Sequence, residues 1–214
     1  EDFLIDLSYS SIKNILAIQG DKGFQKEVSP GKTVNEHAVH LVTQISNMNN
    51  GIYLDDKLQE SHPTNFCIGV AGYPEKHYQA PNLMWDLRQL KNKVEAGASY
   101  IVTQMFFDNE KYYEFVSLCK QVGIRVPIIP GLKILDSRSQ ITSIPENFFV
   151  NIPIELIDEV EKANDEDIEN LSVDWTYEQI KDLFSRGIPS VHIYVMQKTS
   201  SVRKLMDKLK PILP

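Results

Sequence analysis

Short apolar runs alternate along the chain with stretches whose apolar residues recur every three or four positions. Continuous apolar runs bounded by Gly or Pro predict buried strands, and the wider spacing predicts amphipathic helices. The runs predict strands at 14–18, 66–71, 100–107, 126–130 and 191–196. The periodic stretches predict helices at 35–47, 83–96, 110–122, 154–163, 176–186 and 200–209. This alternation is typical of an α/β protein with a parallel sheet.

Three glycines each follow a predicted helix and precede the next predicted strand. They are Gly97, Gly123 and Gly187. A helix commonly ends in a left-handed residue, a conformation that glycine adopts easily. The repeated joint predicts repeated βα units, which fit either an open doubly wound sheet or a (β/α)₈ TIM barrel. No GxGxxG follows the first predicted strand and no GxxxxGK[ST] occurs, so the nucleotide-binding open sheets are disfavoured.

A complete barrel needs eight strands, whereas the pattern predicts only five. The remaining length is taken up by a polar insertion at 47–65 and an acidic stretch at 158–170. Within that stretch, the acidic run Asp165, Glu166, Asp167 and Glu169 is expected to be a solvated surface. We therefore expect a single partial barrel domain over residues 1–214 that lacks its first three βα units.

The most informative unit, Phe66 to Asp108, contains a strand, a polar loop, a helix and a second strand. Its loop carries Glu75 and His77, and its second strand ends in Gln104. Polar side chains at the carboxyl ends of successive parallel strands indicate a ligand site.

The helix of this unit has two stripes. An apolar stripe contains Leu83, Leu87, Leu90 and Val94, and a polar stripe beside it contains Asp86, Gln89 and Lys93. Each polar residue alone fits an ordinary solvated flank. Together with the strand ends, they predict one side of a binding site for a polar and extended ligand.

The composition and charge of the chain disfavour several kinds of binding partner. The chain has 214 residues that are 42% hydrophobic, enough for one sizeable core, and a net charge of −7 without a dense basic block disfavours nucleic acid. No run approaches the roughly 18 residues of a membrane span and no signal pattern begins the chain, so no membrane association and a cytoplasmic location are expected. Cys67 and Cys119 are expected to be small core residues. His37 and His40 have no third ligand at a suitable spacing, so no metal site is expected.

Five segments resemble a known family. They are ILAIQGD at 15–21, GVAGYPEKHYQAPN at 69–82, DLRQLKNKVEAGASYIVTQMFFDN at 86–109, VPIIPGLK at 126–133 and VHIYVM at 191–196. In this order they resemble methylenetetrahydrofolate reductase, and the YPEKH and VTQMFFD blocks are specific to it. The resemblance implies a (β/α)₈ barrel that holds FAD and uses NADH or NADPH to reduce 5,10-methylenetetrahydrofolate to 5-methyltetrahydrofolate, which feeds methionine synthesis. A homo-oligomer is expected of the full-length protein.

The resemblance assigns roles residue by residue. Cofactor contacts fall on Gln19, Gly20, Asp21, Ala38, Tyr73, His77, Ala80, Asp86, Gln89 and Lys93. Substrate contacts fall on Asp21, Gln104, Gln140, Tyr194 and Lys198. Asp21 and Gln104 are the expected catalytic residues, because a carboxylate near the flavin disfavours its anionic reduced form and an amide can bond the folate and the nicotinamide in turn.

Several positions depart from the family pattern. The family usually has Arg where Gln19 stands, and its general-acid glutamate lies in an amino-terminal part to which no residue of this chain corresponds. Glu75 is expected to have a loop-rigidifying or surface role rather than to replace that acid. The fragment alone is therefore expected to be inactive, and a non-catalytic remnant of the same barrel is the alternative hypothesis. Another barrel enzyme with a phosphate-bearing substrate is disfavoured because no Gly-rich phosphate loop occurs late in the chain.

Overall fold

The structure, a computed structural model, describes residues 1–20, 35–55, 57–58, 60–196 and 199–212. Its strands are β1 (Asn14–Ala17), β2 (Cys67–Gly72), β3 (Tyr100–Met105), β4 (Ile128–Lys133) and β5 (His192–Tyr194). Its helices are α1 (Asp2–Tyr9), α2 (Ala38–Asn49), α3 (Leu83–Glu95), α4 (Asn109–Gln121), α5 (Gln140–Phe148), α6 (Ile154–Lys162), α7 (Ile168–Ser185) and α8 (Ser200–Leu209). Two predicted site residues, Asp21 and Lys198, lie outside the described residues.

The strands form one parallel sheet in chain order, β1-β2-β3-β4-β5. Connections between parallel strands are right-handed almost without exception. When each strand pairs with the next one in the chain, as here, all the connecting helices therefore lie on the same face of the sheet. A doubly wound sheet instead reverses its strand order and has helices on both faces. The described sheet is therefore a curled half-barrel, which agrees with a partial TIM barrel. The number of further strands stays a prediction.

The core lies between the sheet and its helices. Ile68 and Val70 of β2 are 1% and 0% exposed and belong to the same buried cluster as Ile45 of α2 and Leu87 of α3. Cys67 alternates with these residues and is exposed, because successive side chains of a strand point to opposite faces. The prediction of a core role was thus wrong for Cys67, whereas Cys119 on α4 is buried.

The three predicted glycine joints are confirmed. Gly97, Gly123 and Gly187 have φ angles of +123°, +91° and +82°, in the region that L side chains rarely adopt. Each glycine lets the chain reverse from a helix into the next strand.

Some elements differ from the sequence prediction. Helices α1 and α5 were not predicted, α7 begins at Ile168 rather than at 176, and β4 covers 128–133 rather than 126–130. Pro145 lies inside α5 and interrupts the pattern from which a helix is predicted. The acidic run expected to be a solvated surface is exposed at Asp165, Glu166 and Asp167, as predicted. Glu169 is half-buried in the first turn of α7, where it is favoured by the helix dipole and lies 2.9 Å from Lys204 Nζ.

Candidate functional site

The loop after β2 is held by hydrogen bonds among its own residues and α3. The backbone N–H of His77 donates to Asp86 Oδ2 at 2.8 Å, and Lys76 Nζ donates to the carbonyl of Ala80 at 2.7 Å. Lys76 adopts a φ of +89°, which is uncommon for a residue other than glycine. Asn82 caps α3 by accepting from the N–H of Trp85 at 2.9 Å. These contacts fix His77 relative to α3.

The polar stripe of α3 has the position that the sequence predicts. Asp86, Gln89 and Lys93 are half-buried, beside the buried Leu87 and Leu90. Lys93 Nζ donates to the carbonyl of Ala71 at 2.7 Å, near the carboxyl end of β2. An ammonium carries three donors, so within the described chain two are left for a ligand.

Burial shifts the pKa values of the groups around this loop. It lowers the pKa of Lys93 to about 8, against the opposing effect of Asp86. Burial, reinforced by Asp86, raises the pKa of Tyr73 to about 12. Burial also lowers the pKa of His77; Asp86 opposes this shift and Lys93 adds to it. His77 is therefore neutral at pH 7.

The tautomer of His77 follows from its neighbours. Its Nδ1 accepts a hydrogen bond from the backbone N–H of Gln79 at 3.2 Å, so the proton of the neutral ring is on Nε2. The ring lies edge-on to Tyr73 with 4.5 Å between the ring centroids. The loop thus presents an imidazole N–H and a neutral phenol side by side.

Gln104 lies on an irregular part of β3. The register between β3 and β4 shifts between Val102 and Met105, close to Pro130, which has no N–H to donate. The N–H of Gly131 donates instead to the side-chain hydroxyl of Thr103 at 2.8 Å. Such irregularities re-aim side chains at functional edges of sheets.

One end of the side-chain amide of Gln104 already has a hydrogen-bond partner. Its Oε1 accepts from the N–H of Met105 at 2.9 Å, while the side chain is half-buried. The Nε2 group is therefore the part of Gln104 that is left to donate to a ligand.

Tyr194 and Gln140 complete the polar strand ends. The hydroxyl of Tyr194 donates to the carbonyl of Thr103 at 2.9 Å, which places this ring next to Gln104. Gln140 begins α5, and its Oε1 accepts from the N–H of Asp136 at 2.7 Å. The close approach of these strands needs Gly131, since a Cβ there would lie 2.2 Å from the carbonyl oxygen of Thr103.

Sequence reasoning missed a buried ion pair at the end of β4. Lys133 is 6% exposed, and its Nζ donates to Asp136 Oδ2 at 3.1 Å and to the carbonyl of Ile134 at 2.8 Å. Ser201 of α8 donates to Asp136 Oδ1 at 3.4 Å. Because the N–H of Asp136 holds Gln140, the pair positions that side chain. The available signal was a lone cation at the end of an apolar strand.

The structure brings most of the predicted site residues into two groups. The β2 group comprises Tyr73, His77, Ala80, Asp86, Gln89 and Lys93, and the strand-end group comprises Gln104, Gln140 and Tyr194. The two groups lie close together: Tyr194 is near enough to Tyr73 to contribute to the rise of its pKa.

Glu75 ties the β2 loop to the segment after α5. Its carboxylate accepts from the backbone N–H of Asn151 at 3.1 Å, which supports the loop-rigidifying role. Gln19 and Gly20 are exposed after β1, and Ala38 begins α2. Within the described ranges none of these three hydrogen-bonds to either group, so their cofactor roles stay predictions.

Metal ligands and membrane spans were both considered for the part of the chain that the structure describes. There, no group of three or more His, Cys, Asp or Glu side chains is arranged to hold a metal ion. No helix in these ranges is long and apolar enough to cross a membrane.

Two features of this chain are typical of enzymes with a TIM-barrel fold. Its parallel strands follow one another in barrel order, and polar side chains gather at their carboxyl ends. The family model described as methylenetetrahydrofolate reductase matches residues 1–210. The chain belongs to the methylenetetrahydrofolate reductase family.

Several curated relatives are similar to most of the chain. "Probable methylenetetrahydrofolate reductase (NADPH)" of Caenorhabditis elegans is 31% identical over 202 residues, 92% of this chain and 28% of the relative. "Methylenetetrahydrofolate reductase 1" of Schizosaccharomyces pombe is 30% identical over 199 residues, 92% of this chain and 31% of the relative. "Methylenetetrahydrofolate reductase (NADH) 1" of Arabidopsis thaliana is 30% identical over 212 residues, 94% of this chain and 34% of the relative. The chain spans about a third of the length of these relatives.

A solved structure is also similar. It is described as "Uncharacterized protein from Clostridium thermocellum binds two copies of 5-methyl-5,6,7,8-tetrahydrofolic acid". Its TM-score is 0.48 at 20% identity, over 70% of this chain and 55% of that chain.

Proposed function

We propose that this chain supplies a large part of the active site of a flavin-dependent methylenetetrahydrofolate reductase, which passes a hydride from NADH or NADPH to 5,10-methylenetetrahydrofolate. Family membership supports folate reduction in general. The observation that carries the finer proposal is the gathering of Tyr73, His77, Lys93 and Gln104 at the carboxyl ends of β2 and β3.

The donor set at this edge fits FAD. Within the described residues, Lys93 has two ammonium donors left and His77 has a free Nε2–H, which suit the diphosphate. The amides of Gln104 and Gln140 suit the polar edges of a flavin or pterin ring, since the Nε2 group of each is left to donate. When bound, FAD supplies the hydride-transfer chemistry, and the protein has to bind and orient it.

Lys93 and His77 would respond to an anion by gaining protons. Burial holds the pKa of Lys93 at about 8, so part of the Lys93 population is neutral at mildly alkaline pH. Burial lowers the pKa of His77, so its imidazole is neutral there. A nearby negative charge favours the charged form of both groups and raises their pKa values. Binding of FAD should therefore take up protons near pH 8.

Gln104 would contact both substrates in turn. Its Oε1 is held by the N–H of Met105, which fixes the direction of the Nε2 donor. A donor fixed at one place can bond the carbonyl of a pterin or the carboxamide of a nicotinamide. Occupation of one place by two substrates in succession gives ping-pong kinetics.

The finer assignments belong to the same proposal. Asp21 and Lys198 would contact the folate, and Gln19, Gly20 and Ala38 would contact FAD. The described sheet leaves the outer edges of β1 and β5 without a partner strand. This supports a barrel completed by three further βα units, which would also carry the general-acid glutamate. A homo-oligomer of the full-length protein is part of the same proposal.

A titration of FAD with Lys93→Met and Lys91→Met tests the cofactor part of the proposal. Both lysines lie on α3, but Lys91 points to the exposed side and approaches Glu95 at 3.7 Å. The longest open reading frame that contains this sequence should be used, with quenching of flavin fluorescence as the readout. We expect Lys93→Met to weaken binding by about tenfold or more, as the loss of a charged hydrogen bond predicts, and Lys91→Met to change it by less than about twofold. Equal weakening by both variants, or no binding of FAD to the parent protein, would contradict the proposal.

A further inference from the structure

Lys76 is a cation of the β2 loop that the proposed function leaves unused. It directly precedes His77 in the chain and is half-buried. Its Nζ donates to the carbonyl of Ala80 at 2.7 Å, so the side chain folds along its own loop. An ammonium has three donors, and within the described chain two of them are left for another partner.

Lys76 and Lys93 are held in the same way. Each is half-buried, and each Nζ donates to a backbone carbonyl at 2.7 Å, that of Ala80 for Lys76 and that of Ala71 for Lys93. Among the residues that the structure describes, neither Nζ lies within 4.0 Å of an Asp or Glu oxygen. A carbonyl dipole does not neutralise an ammonium, and withdrawing a charge from water costs free energy unless an opposite charge compensates. Two such cations at one loop therefore indicate a place for an anion.

The acidic residues on either side of Lys76 in the sequence bond to other groups. Glu75 accepts from the backbone N–H of Asn151 at 3.1 Å and from the side-chain amide of the same residue. Asp86 Oδ2 accepts from the backbone N–H of His77 at 2.8 Å. Both carboxylates thus hold the loop through N–H groups, and neither forms an ion pair with Lys76 in the described structure.

Lys76 is close enough to His77 to act on its charge. Burial lowers the pKa of His77, and the positive charges of Lys93 and Lys76 add to this shift against the effect of Asp86. Both lysines therefore act on one imidazole, whose proton is on Nε2. Lys76, His77 and Lys93 form a single cluster of donors at the carboxyl end of β2.

The backbone of Lys76 adds an independent feature. Its φ of +89° lies in a region that L side chains rarely adopt and that glycine adopts easily. Residues held in such conformations cluster at ligand sites, where the surrounding structure maintains them. A lysine at a position that glycine would fill without strain indicates that the side chain has a function.

We propose that Lys76 is a further phosphate-binding residue, which together with His77 and Lys93 binds the diphosphate of FAD. An ammonium is a compact point charge with rotatable donors, so it can contact an oxygen of either phosphate while it keeps its bond to Ala80. This role rests on the proposed function, since it presupposes that FAD binds at the β2 loop.

Four variants of the longest open reading frame that contains this sequence test the role. Lys76→Met removes the charge at a similar side-chain length, Lys76→Gly removes it and relieves the backbone, and Lys76→Arg keeps it. Lys91→Met, which removes a charge from the exposed side of α3, is the control. Far-ultraviolet circular dichroism checks that all four remain folded.

Quenching of flavin fluorescence measures the affinity for FAD. We expect Lys76→Met and Lys76→Gly to weaken binding by about fivefold or more, as the loss of a charged hydrogen bond predicts. Lys76→Arg should change it by less than about threefold and Lys91→Met by less than about twofold, because both leave a cation at position 76.

The salt dependence separates a charge contact from a merely structural role. Salt screens the attraction between an ammonium and a phosphate, so the difference in affinity between the parent and Lys76→Met should shrink from low to high ionic strength. A lysine that only holds the loop through the neutral carbonyl of Ala80 would give a difference that salt does not change.

The outcomes also separate this role from the proposed function. A parent protein that binds FAD, with a salt-independent difference or with Lys76→Met and Lys76→Gly within about twofold of the parent, would overturn the role of Lys76 alone. A parent protein that does not bind FAD would overturn both.

Discussion

The two segments that supply most of the candidate site are held in different ways. In the first, from Cys67 to Glu95, most side-chain polar contacts join residues that are close in the chain, and the bond from Asn151 to Glu75 is the exception among those described. His77 and Asp86 are 9 residues apart, and Lys93 and Ala71 are 22 apart. A loop and the helix that follows it therefore stabilise each other.

In the second segment, from Ile128 to Phe148, the contacts reach much further along the chain. The N–H of Leu135 donates to the Ser172 hydroxyl, 37 residues away, at 2.6 Å. Asp136 and Ser201 are 65 residues apart. This segment has its observed form only when α7 and α8 are in place.

This contrast predicts how far the effect of a substitution should spread through the structure. A change in the first segment should alter the electrostatics of the β2 loop and leave the sheet intact. A change in the second should disturb β3 and β5 together, because Gly131 and Tyr194 both bond to Thr103.

The largest effect is expected from Gly131→Ala. The new Cβ would lie 2.2 Å from the carbonyl oxygen of Thr103 and 2.7 Å from the Tyr194 ring, and backbone cannot move aside cheaply. We expect a loss of about 3 kcal/mol in the free energy of unfolding, measured in urea. Gly20→Ala is the control, since a Cβ at Gly20 would meet nothing within 4 Å. Equal stability of the two variants would remove the distinction between the segments.

A smaller and more local effect is expected from Asp86→Ala. The N–H of His77 would lose its acceptor, at a cost of about 1 kcal/mol. The pKa of His77 should fall further, because Asp86 raises it and Lys93 lowers it. NMR titration of the imidazole measures the shift, with Glu95→Ala on the exposed side of α3 as the control. An unchanged or raised pKa in Asp86→Ala would contradict the described loop.

The smallest effect is the pH dependence that Lys93 adds. Its folded pKa is lowered from 10.5 to about 8, so between these values the unfolded chain binds more protons and stability contributed by Lys93 rises with pH. The buried Cys119 acts in the opposite direction above pH 9, because burial raises its pKa from 9.0 to about 12.

A comparison with Lys93→Met isolates this contribution, since Cys119 is common to both proteins. The stability of the parent chain relative to the variant should increase from pH 8 to pH 10. A difference that stays constant or decreases over this range would show that Lys93 is not buried as described.

The first segment could be predicted from the sequence largely because its interactions are local. The stripes of α3, the polar loop and the glycine after the helix all follow from residue spacing within 30 positions. Of the two roles that the sequence left open for Glu75, the hydrogen bond to Asn151, 76 residues away, supports the loop-rigidifying one.

The second segment could not be predicted to the same extent. Pro130 suggested that β4 ends there, but the strand continues to Lys133 because Thr103 accepts the N–H of Gly131. α5 was not predicted, because Pro145 interrupts the spacing of apolar residues from which a helix is inferred. The buried pairing of Lys133 with Asp136 depends on the packed strands around it, which residue spacing does not reveal.

The central claim is that one site serves a flavin, a nicotinamide and a folate, with Gln104 meeting both substrates. The most direct measurement is stopped-flow absorbance of the flavin in the longest open reading frame that contains this sequence. We expect NADH or NADPH to bleach a bound flavin and 5,10-methylenetetrahydrofolate to restore it, with both half-reactions slowed by about tenfold or more in Gln104→Leu through loss of the amide hydrogen bond. A colourless protein that FAD does not stabilise, or a Gln104→Leu variant with both rates unchanged, would contradict the account.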